Sequence, residues 1–360
     1  MKVMLLGEFS ALHKYLKNGL QELGNIEVEL AANGDGWKKI NGADIYLPDS
    51  NQNRVRGKFN LYCENIKIAS KFKGYDVVQL IQPLLFPMPI NNMIINYIKN
   101  NNKCLSLVSA GGDQAIVKAY LEGKFEYYMW DYYKAYLDKY DSNKLRGRLN
   151  IMSSNNTEQK ADVIIPILYE YSVGYSTNRL SNVIPFGINL KEIKYMPNIV
   201  KNGKIVFFHG LNNEEKKGTI FIRKALNRLA EKYPNEVEII IDGHMPFEKY
   251  LEVMKRANVV IDQCCSYGYG INAGIAMAEG KVVMSGARNE TLYAIGRKTS
   301  PIIHIKPDVN FIYTQLEKLM HEKNMFESKG YYSRKYVEDV HDHIKVAENY
   351  LKTWKLTGKI

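Results

Sequence analysis

The chain has 360 residues, 46% hydrophobic and 24% charged, which is enough for two ordinary globular domains and excludes a disordered or low-complexity protein. Lysine and arginine outnumber aspartate and glutamate by 49 to 38, a formal net charge of +11, so the surface attracts anions. Nucleotides, nucleic acids and anionic lipid head groups all qualify, and charge alone selects none of them. The four cysteines, Cys63, Cys104, Cys264 and Cys265, have neither CxxC nor zinc spacing and read as reduced thiols of a cytosolic protein.

The opening MKVMLLGEFS turns polar at Gly7, too soon for a signal peptide, and Lys2 to Leu6 predicts a strand. A helix follows with Leu12, Leu16, Leu20 and Leu23 on one face. Further strands are predicted at Ile26 to Leu30, Ala43 to Leu47, Asp76 to Ile81, Cys104 to Ser109 and Asp162 to Ile165, with helical patterns between several of them. The most apolar window, VVQLIQPLLFPMPI, is broken by Pro83, Pro87 and Pro89 and predicts no membrane span. Alternation of strands and helices predicts a parallel sheet covered by helices over residues 1–186.

Gly123 to Tyr140, GKFEYYMWDYYKAYLDKY, predicts an amphipathic helix that packs Tyr132, Tyr133 and Tyr136; a sugar-stacking surface or a foot at the membrane interface is the other reading. Lys139, Lys144, Arg146 and Arg148 form a basic run, which predicts a solvated face. Around IPFGINLKEIKYMPNIVKN the periodicity is lost, and residues 187–202 predict a linker.

A second α/β series occupies residues 203–330. It begins with Lys204 to Phe208 and the loop HGLNNEEKKGT, continues with a helix carrying Ile222, Leu226, Leu229 and Tyr233, and has strands at Val237 to Ile241 and Val259 to Asp262. Residues 331–360 predict one long closing helix from Ser333 to Trp354. Two Rossmann-like halves of this kind bind ligands at the carboxyl ends of their strands.

The stretch VVIDQCCSYGYGINAGIAMAEGKVVMSG, Val259 to Gly286, reads as strand, glycine loop, helix and strand. A glycine loop feeding a helix N-terminus suits phosphate, because the first backbone N–H groups lack intrahelical partners and the helix dipole favours negative charge. GYGINAG is also a variant of a dinucleotide loop. Four residues separate it from its strand, however, and no acidic residue closes the next strand at Met284.

HGLNNEEKKG at 209 to 218 and YGYGINAGIAMAEGKVV at 267 to 283 resemble the second domain of the retaining glycosyltransferases of family four, and IPFGI with the closing helix resembles that family in outline. The resemblance implies an α/β fold of two Rossmann-like domains facing a central cleft, the GT-B fold, with the closing helix crossing back to the first domain. It implies transfer of a hexose-like sugar from a nucleotide-diphosphate-sugar donor, held by the second domain, to a glycan or lipid-linked acceptor, held by the first, in cell-surface polysaccharide or glycoconjugate synthesis. No metal, cofactor or nucleic acid is expected. The reduced cysteines predict a cytoplasmic location, and the basic surface predicts peripheral contact at the inner face of an anionic membrane.

Carried over by position, Lys217 contacts the diphosphate, with Lys216 as the neighbouring alternative, and Gly268 and Gly270 let the donor approach the helix. Asn212, Asp262, Tyr267, Tyr269 and Asn272 complete the expected donor site. The family's paired glutamates fall on Tyr267 and Ile275, and its Gly-Arg arginine is missing after Gly210. Asp262, Asn272 and Glu290, with Glu279 behind them, are the candidate substitutes. On the acceptor side Asp113, after Gly111 and Gly112, and His13 are the candidate catalytic residues, and His209 is a lone histidine of the same kind. Glu338, Asp339, His341, Asp342 and His343 resemble a metal cluster, but adjacent helical positions diverge, which predicts a solvated face. A GT-B-shaped binding or assembly protein without catalysis is the alternative to an enzyme.

Overall fold

The computed structural model of the chain describes residues 1–33, 40–48, 55–211, 213–243 and 247–360. The chain forms two compact units, one made of Met1–Lys124, Ala135–Gly187 and His343–Ile360, the other of Phe125–Lys134 and Ile188–Asp342.

The first unit contains β1 (Lys2–Leu6), α1 (Leu12–Glu22), β2 (Glu27–Ala32), β3 (Ile45–Tyr46), α2 (Val55–Ala69), β4 (Val77–Leu80), α3 (Asn91–Asn100), β5 (Cys104–Ser109), α4 (Gln114–Leu121), α5 (Leu145–Lys160) and β6 (Val163–Pro166). Its strands are short apolar runs buried on both faces, as a helix-covered parallel sheet requires. They pair in parallel in the order β3-β2-β1-β4-β5-β6, the doubly wound arrangement. Met4, Leu6, Val78, Leu80, Leu105 and Leu107 face Ile94, Ile95 and Ile98 of α3 in one core.

The second unit contains β7 (Ile205–Leu211), α6 (Glu214–Lys217), α7 (Thr219–Lys232), β8 (Val237–Gly243), α8 (Phe247–Arg256), β9 (Val259–Ile261), α9 (Ile271–Ala278), β10 (Val282–Ser285), α10 (Asn289–Ala294), β11 (Ile303–His304), α11 (Val309–His321) and α12 (Phe326–Val340). Its sheet is also parallel, in the order β11-β10-β9-β7-β8. Phe207, Val259, Ile261, Val282 and Met284 pack there on Ile222, Leu226 and Leu229 of α7 and on Ile312, Leu316 and Leu319 of α11. At two residues, β11 is too short to leave a periodic trace in the sequence.

Three expectations are corrected. The aromatic stretch is not an α-helix: it makes 3-10 turns at Met129–Asp131 and Lys134–Tyr140, because the Asp131 carboxylate accepts from the Tyr128 backbone N–H at 2.8 Å and turns the chain locally. Its buried rings are Tyr127, Tyr128, Trp130 and Tyr140, whereas Tyr132 is 41% exposed. Phe125–Lys134 also packs with the second unit, where Met129 joins the core and Tyr132 lies edge-on to Phe221.

The closing helix is two helices, α12 and α13 (His343–Lys355). The break comes where the His341 carbonyl accepts from Ile188 N–H at 2.7 Å and Asp342 bridges Ile188, which takes the chain out of helical register. The acidic and histidine run is not a solvated face either. His341 and His343 are buried, while Glu338 and Asp339 pair with Arg334, Lys335 and Arg297. Among the described residues no group of three or more His, Cys, Asp or Glu is arranged to hold a metal ion, and no helix is long and apolar enough to cross a membrane. Lys144, Arg146 and Arg148 are exposed as expected, and Lys139 lies over the Tyr136 and Tyr140 rings.

In the first unit α13 lies on α1 at Gly19, where a side-chain carbon would collide with the His343 carbonyl oxygen and the Ala347 methyl. Gly19→Ala should therefore destabilise the protein by about 1 to 3 kcal/mol, the cost of overpacking a tight contact. Urea unfolding against wild type checks this; an unchanged midpoint would mean that the helices separate without cost.

Candidate functional site

In the second sheet the winding reverses between β7, which leads through α6 and α7 to β8 on one side, and β9, its neighbour on the other. The carboxyl ends of such a strand pair form the ligand crevice of doubly wound sheets. The loops after β7, β9 and β10 converge there.

Lys217 ends α6. Asn213 caps this short helix by accepting from Lys216 N–H at 3.0 Å, and Gly218 closes it at φ 72°, in the left-handed region. A side chain at Gly218 would strike both sulfurs of Cys264 and Cys265, so the position demands glycine twice over. The Cys264 N–H donates to the Lys217 carbonyl at 3.0 Å and ties the loop to the end of β9. The lysine is only 8% exposed, and its Nζ lies 3.2 Å from Asp262 Oδ1. Asp262 Oδ2 accepts from Gly270 N–H at 3.1 Å and from Ser285 Oγ at 3.3 Å. One carboxylate thus gathers a lysine, the entrance of α9 and the end of β10.

His209, on β7 beneath this cluster, is fully buried. Its Nδ1 donates to the Ile261 carbonyl at 2.8 Å, which leaves Nε2 to accept from Thr219 Oγ1 at 2.8 Å. Burial, and then the nearby Lys217 charge, lower its pKa to about 4, so the ring is neutral and positions the start of α7.

The other expected donor residues are spread around this centre. Tyr267 is buried, accepts from Glu126 N–H at 2.8 Å, and packs against Phe125 and Tyr127 with the Arg288 guanidinium 4.3 Å from its ring centre. Gly268 offers its carbonyl to Gln263 Nε2. Tyr269 bonds to His341 Nε2 at 2.9 Å and to the Tyr336 hydroxyl at 3.0 Å. Asn272 is half-buried on the first turn of α9, Lys216 lies 5.3 Å from the centre of the Tyr133 ring, and Asn212 lies outside the described residues. Of the substitutes for the missing glutamates, Glu290 pairs with Arg288, and Glu279 is buried at the far end of α9, where desolvation raises its pKa. Ile275 is core.

Two participants escape a reading of the sequence: Ser285, hidden in an apolar strand, and the Arg288 cluster, whose Glu126 partner at 2.6 Å is 162 residues away. The only local trace of the first is the polar residue that closes VVMS.

In the first unit His13 is fully buried with both ring nitrogens engaged. Nδ1 donates to the Gly7 carbonyl at 2.8 Å, and Nε2 accepts from Gln79 at 3.2 Å. The chain continues through Ser106 Oγ to Trp354 Nε1. Burial lowers the His13 pKa to about 4. Asp113 is the N-cap of α4: Oδ1 accepts from Ile116 N–H at 3.0 Å, and Oδ2 accepts from Ser109 at 3.0 Å and Tyr175 at 2.6 Å. Burial raises its pKa.

No protein-family model matches the chain, and no curated protein matches it in sequence. Solved structures do. Sucrose-phosphate synthase from Thermosynechococcus elongatus superposes with a TM-score of 0.64 at 14% identity, covering 99% of each chain. HepE from Anabaena, solved with UDP-glucose, gives 0.63 at 11% identity, again over 99% of each chain. UDP-GlcNAc 2-epimerase from Neisseria meningitidis, bound to UDP-GlcNAc, gives 0.56 at 11% identity, covering 98% of this chain and 99% of that one. The fold is of the GT-B type. Its two parallel Rossmann-like sheets agree with the expected fold class.

His13 and His209 stay neutral in the folded chain at pH values where an unfolded chain protonates them. Between about pH 6.5 and pH 4 the unfolded state therefore binds more protons, and stability falls as pH falls, by about 3 kcal/mol per histidine across that window. His209→Gln removes one of these groups. Urea unfolding at pH 7 and pH 4.5 should show the variant losing less stability between the two than wild type does, and equal losses would exclude this role for His209.

Proposed function

We propose that this chain is a glycosyltransferase that binds a nucleotide-diphosphate sugar at the carboxyl ends of β7, β9 and β10. It passes the sugar, with retention, to a glycan or lipid-linked acceptor in cell-surface polysaccharide or glycoconjugate synthesis. One observation carries the reading: a buried lysine, Lys217, stands at the switch point of a doubly wound sheet beside a glycine-led helix. The fold likeness to HepE, which was solved with UDP-glucose, supports a uridine nucleotide as the first probe.

In this reading Lys217 and the first N–H groups of α9 stabilise the charge that develops on the departing diphosphate, so the chemistry needs no metal ion. Lys216 is the fallback cation, and Asn272, Asn212 and the Gly268 to Gly270 loop complete the donor contacts. Residues 203–330 form the donor domain, residues 1–186 the acceptor domain, 187–202 the link, and 331–360 the closing segment. His13 and Asp113, whose polar atoms are engaged internally, act on the acceptor as positioning residues through the loops they hold.

A second reading, a binding or assembly protein without catalysis, is favoured by Tyr267 and Ile275, which are buried where the resemblance calls for glutamates. Release of nucleoside diphosphate from a panel of sugar nucleotides separates the two: turnover with any donor supports the enzyme, and binding without turnover supports the alternative.

Lys217→Ala should weaken UDP binding by about tenfold to a hundredfold, the worth of a hydrogen bond to a charged group, and leave uridine binding nearly unchanged. Calorimetry with both ligands decides it. An equal loss for the two, or no loss, would remove Lys217 from the diphosphate site.

The membrane part of the proposal rests on α5. Leu145, Leu149 and Met152 are exposed one and two turns apart, with Arg146 and Arg148 exposed on the same helix. Co-sedimentation with anionic liposomes should exceed that with neutral ones and should fall in Leu145→Ser/Met152→Ser; equal recovery on both liposome types would remove the membrane contact.

A further inference from the structure

Lys217 and the loop entering α9, assigned above to a diphosphate, already hold an anion together with Ser285, and it belongs to the chain. Lys217 Nζ, Gly270 N–H and Ser285 Oγ all point at the Asp262 carboxylate, which is 3% exposed and lies at the end of β9. The three separations are 3.2, 3.1 and 3.3 Å, so donors from three separate segments converge on one carboxylate. A buried lysine without any counter-charge would be costly, so some anion must stand there when no ligand does.

We propose that Asp262 is the resident counter-anion of this site: it holds Lys217, Gly270 and Ser285 in the arrangement that a diphosphate takes up, and it yields the lysine when the diphosphate arrives. Asp262 is then a positioning residue that lowers affinity for the anion it stands in for. It keeps the loop ordered in the empty protein and selects against weakly charged ligands that cannot compete with a carboxylate. The inference rests on the proposed diphosphate site. It makes a prediction of opposite sign to the other role open to Asp262, acceptance of hydrogen bonds from a sugar or ribose hydroxyl.

The test is calorimetry with inorganic pyrophosphate and with UDP on wild type, Asp262→Asn, Lys217→Met and the double variant. Asparagine keeps the shape and can still accept from Gly270 and Ser285, but it no longer neutralises the lysine. Asp262→Asn should bind pyrophosphate and UDP about tenfold or more tightly than wild type, and the double variant should lose that gain, as charge-assisted bonds to Lys217 require. If Asp262→Asn leaves the uncompensated lysine unable to fold, Asp262→Ser, which opens room for a bound anion, is measured in the presence of pyrophosphate and should show the same gain. Unchanged or weaker binding by folded Asp262 variants, with binding still lost in Lys217→Met, overturns the inference while the diphosphate site stands. Equal affinity in wild type and Lys217→Met, or no binding by any variant, overturns the diphosphate site and the inference with it.

Discussion

The ion pair between Lys217 and Asp262 is the constraint to which the second unit is built. Removing two charges from water costs several kcal/mol each, and their attraction offsets this only with close geometry and further hydrogen bonds. The surrounding chain supplies those bonds from Gly270 at the mouth of α9 and Ser285 on β10, while Cys264 clamps the lysine's own carbonyl and Gly218 adopts a backbone conformation that no larger residue would fit. His209 sits below as a neutral spacer between β9 and α7. An apolar pair of similar volume would serve packing as well or better, which is the physical ground for the proposal that the pair serves ligand binding.

Much of the fold was legible because a parallel sheet writes itself into a sequence as short apolar runs between helical patterns. KVMLL, CLSLVS and VVI each mark a strand that is buried in place. Lys217 was legible through its loop, and the glycine-led helix through YGYG. The partnership with Asp262 was not, since no periodicity links residues 45 apart. His13 and Asp113 stand out in the sequence as a histidine near a loop mouth and an acid after a strand. What the sequence hides is that their polar atoms are already spoken for, by Gly7 and Gln79 in one case and by the first turn of α4 in the other.

The aromatic stretch shows a different limit. Its spacing satisfies a helical pattern, but one side chain, Asp131, bonds a backbone N–H three residues earlier and redirects the chain. Nothing local announces that residues 125–134 pack with strands that begin some 70 residues later. There Tyr267 meets Phe125, Tyr127 and Glu126, so a position that resemblance assigns to the donor sugar is held in aromatic packing.

That interleaving bears on how the molecule is made. The first unit includes His343–Ile360, and the Trp354 indole donates to Ser106 in the middle of its sheet. The second unit includes a segment that precedes its own first strand by many residues. The interior of the first unit is complete only once α13 has been synthesised, and residues 125–134 find their place only once the second sheet has been translated. Neither core can be completed in simple order along the chain, so cutting the gene at the midpoint would yield two fragments that each lack a piece of their interior.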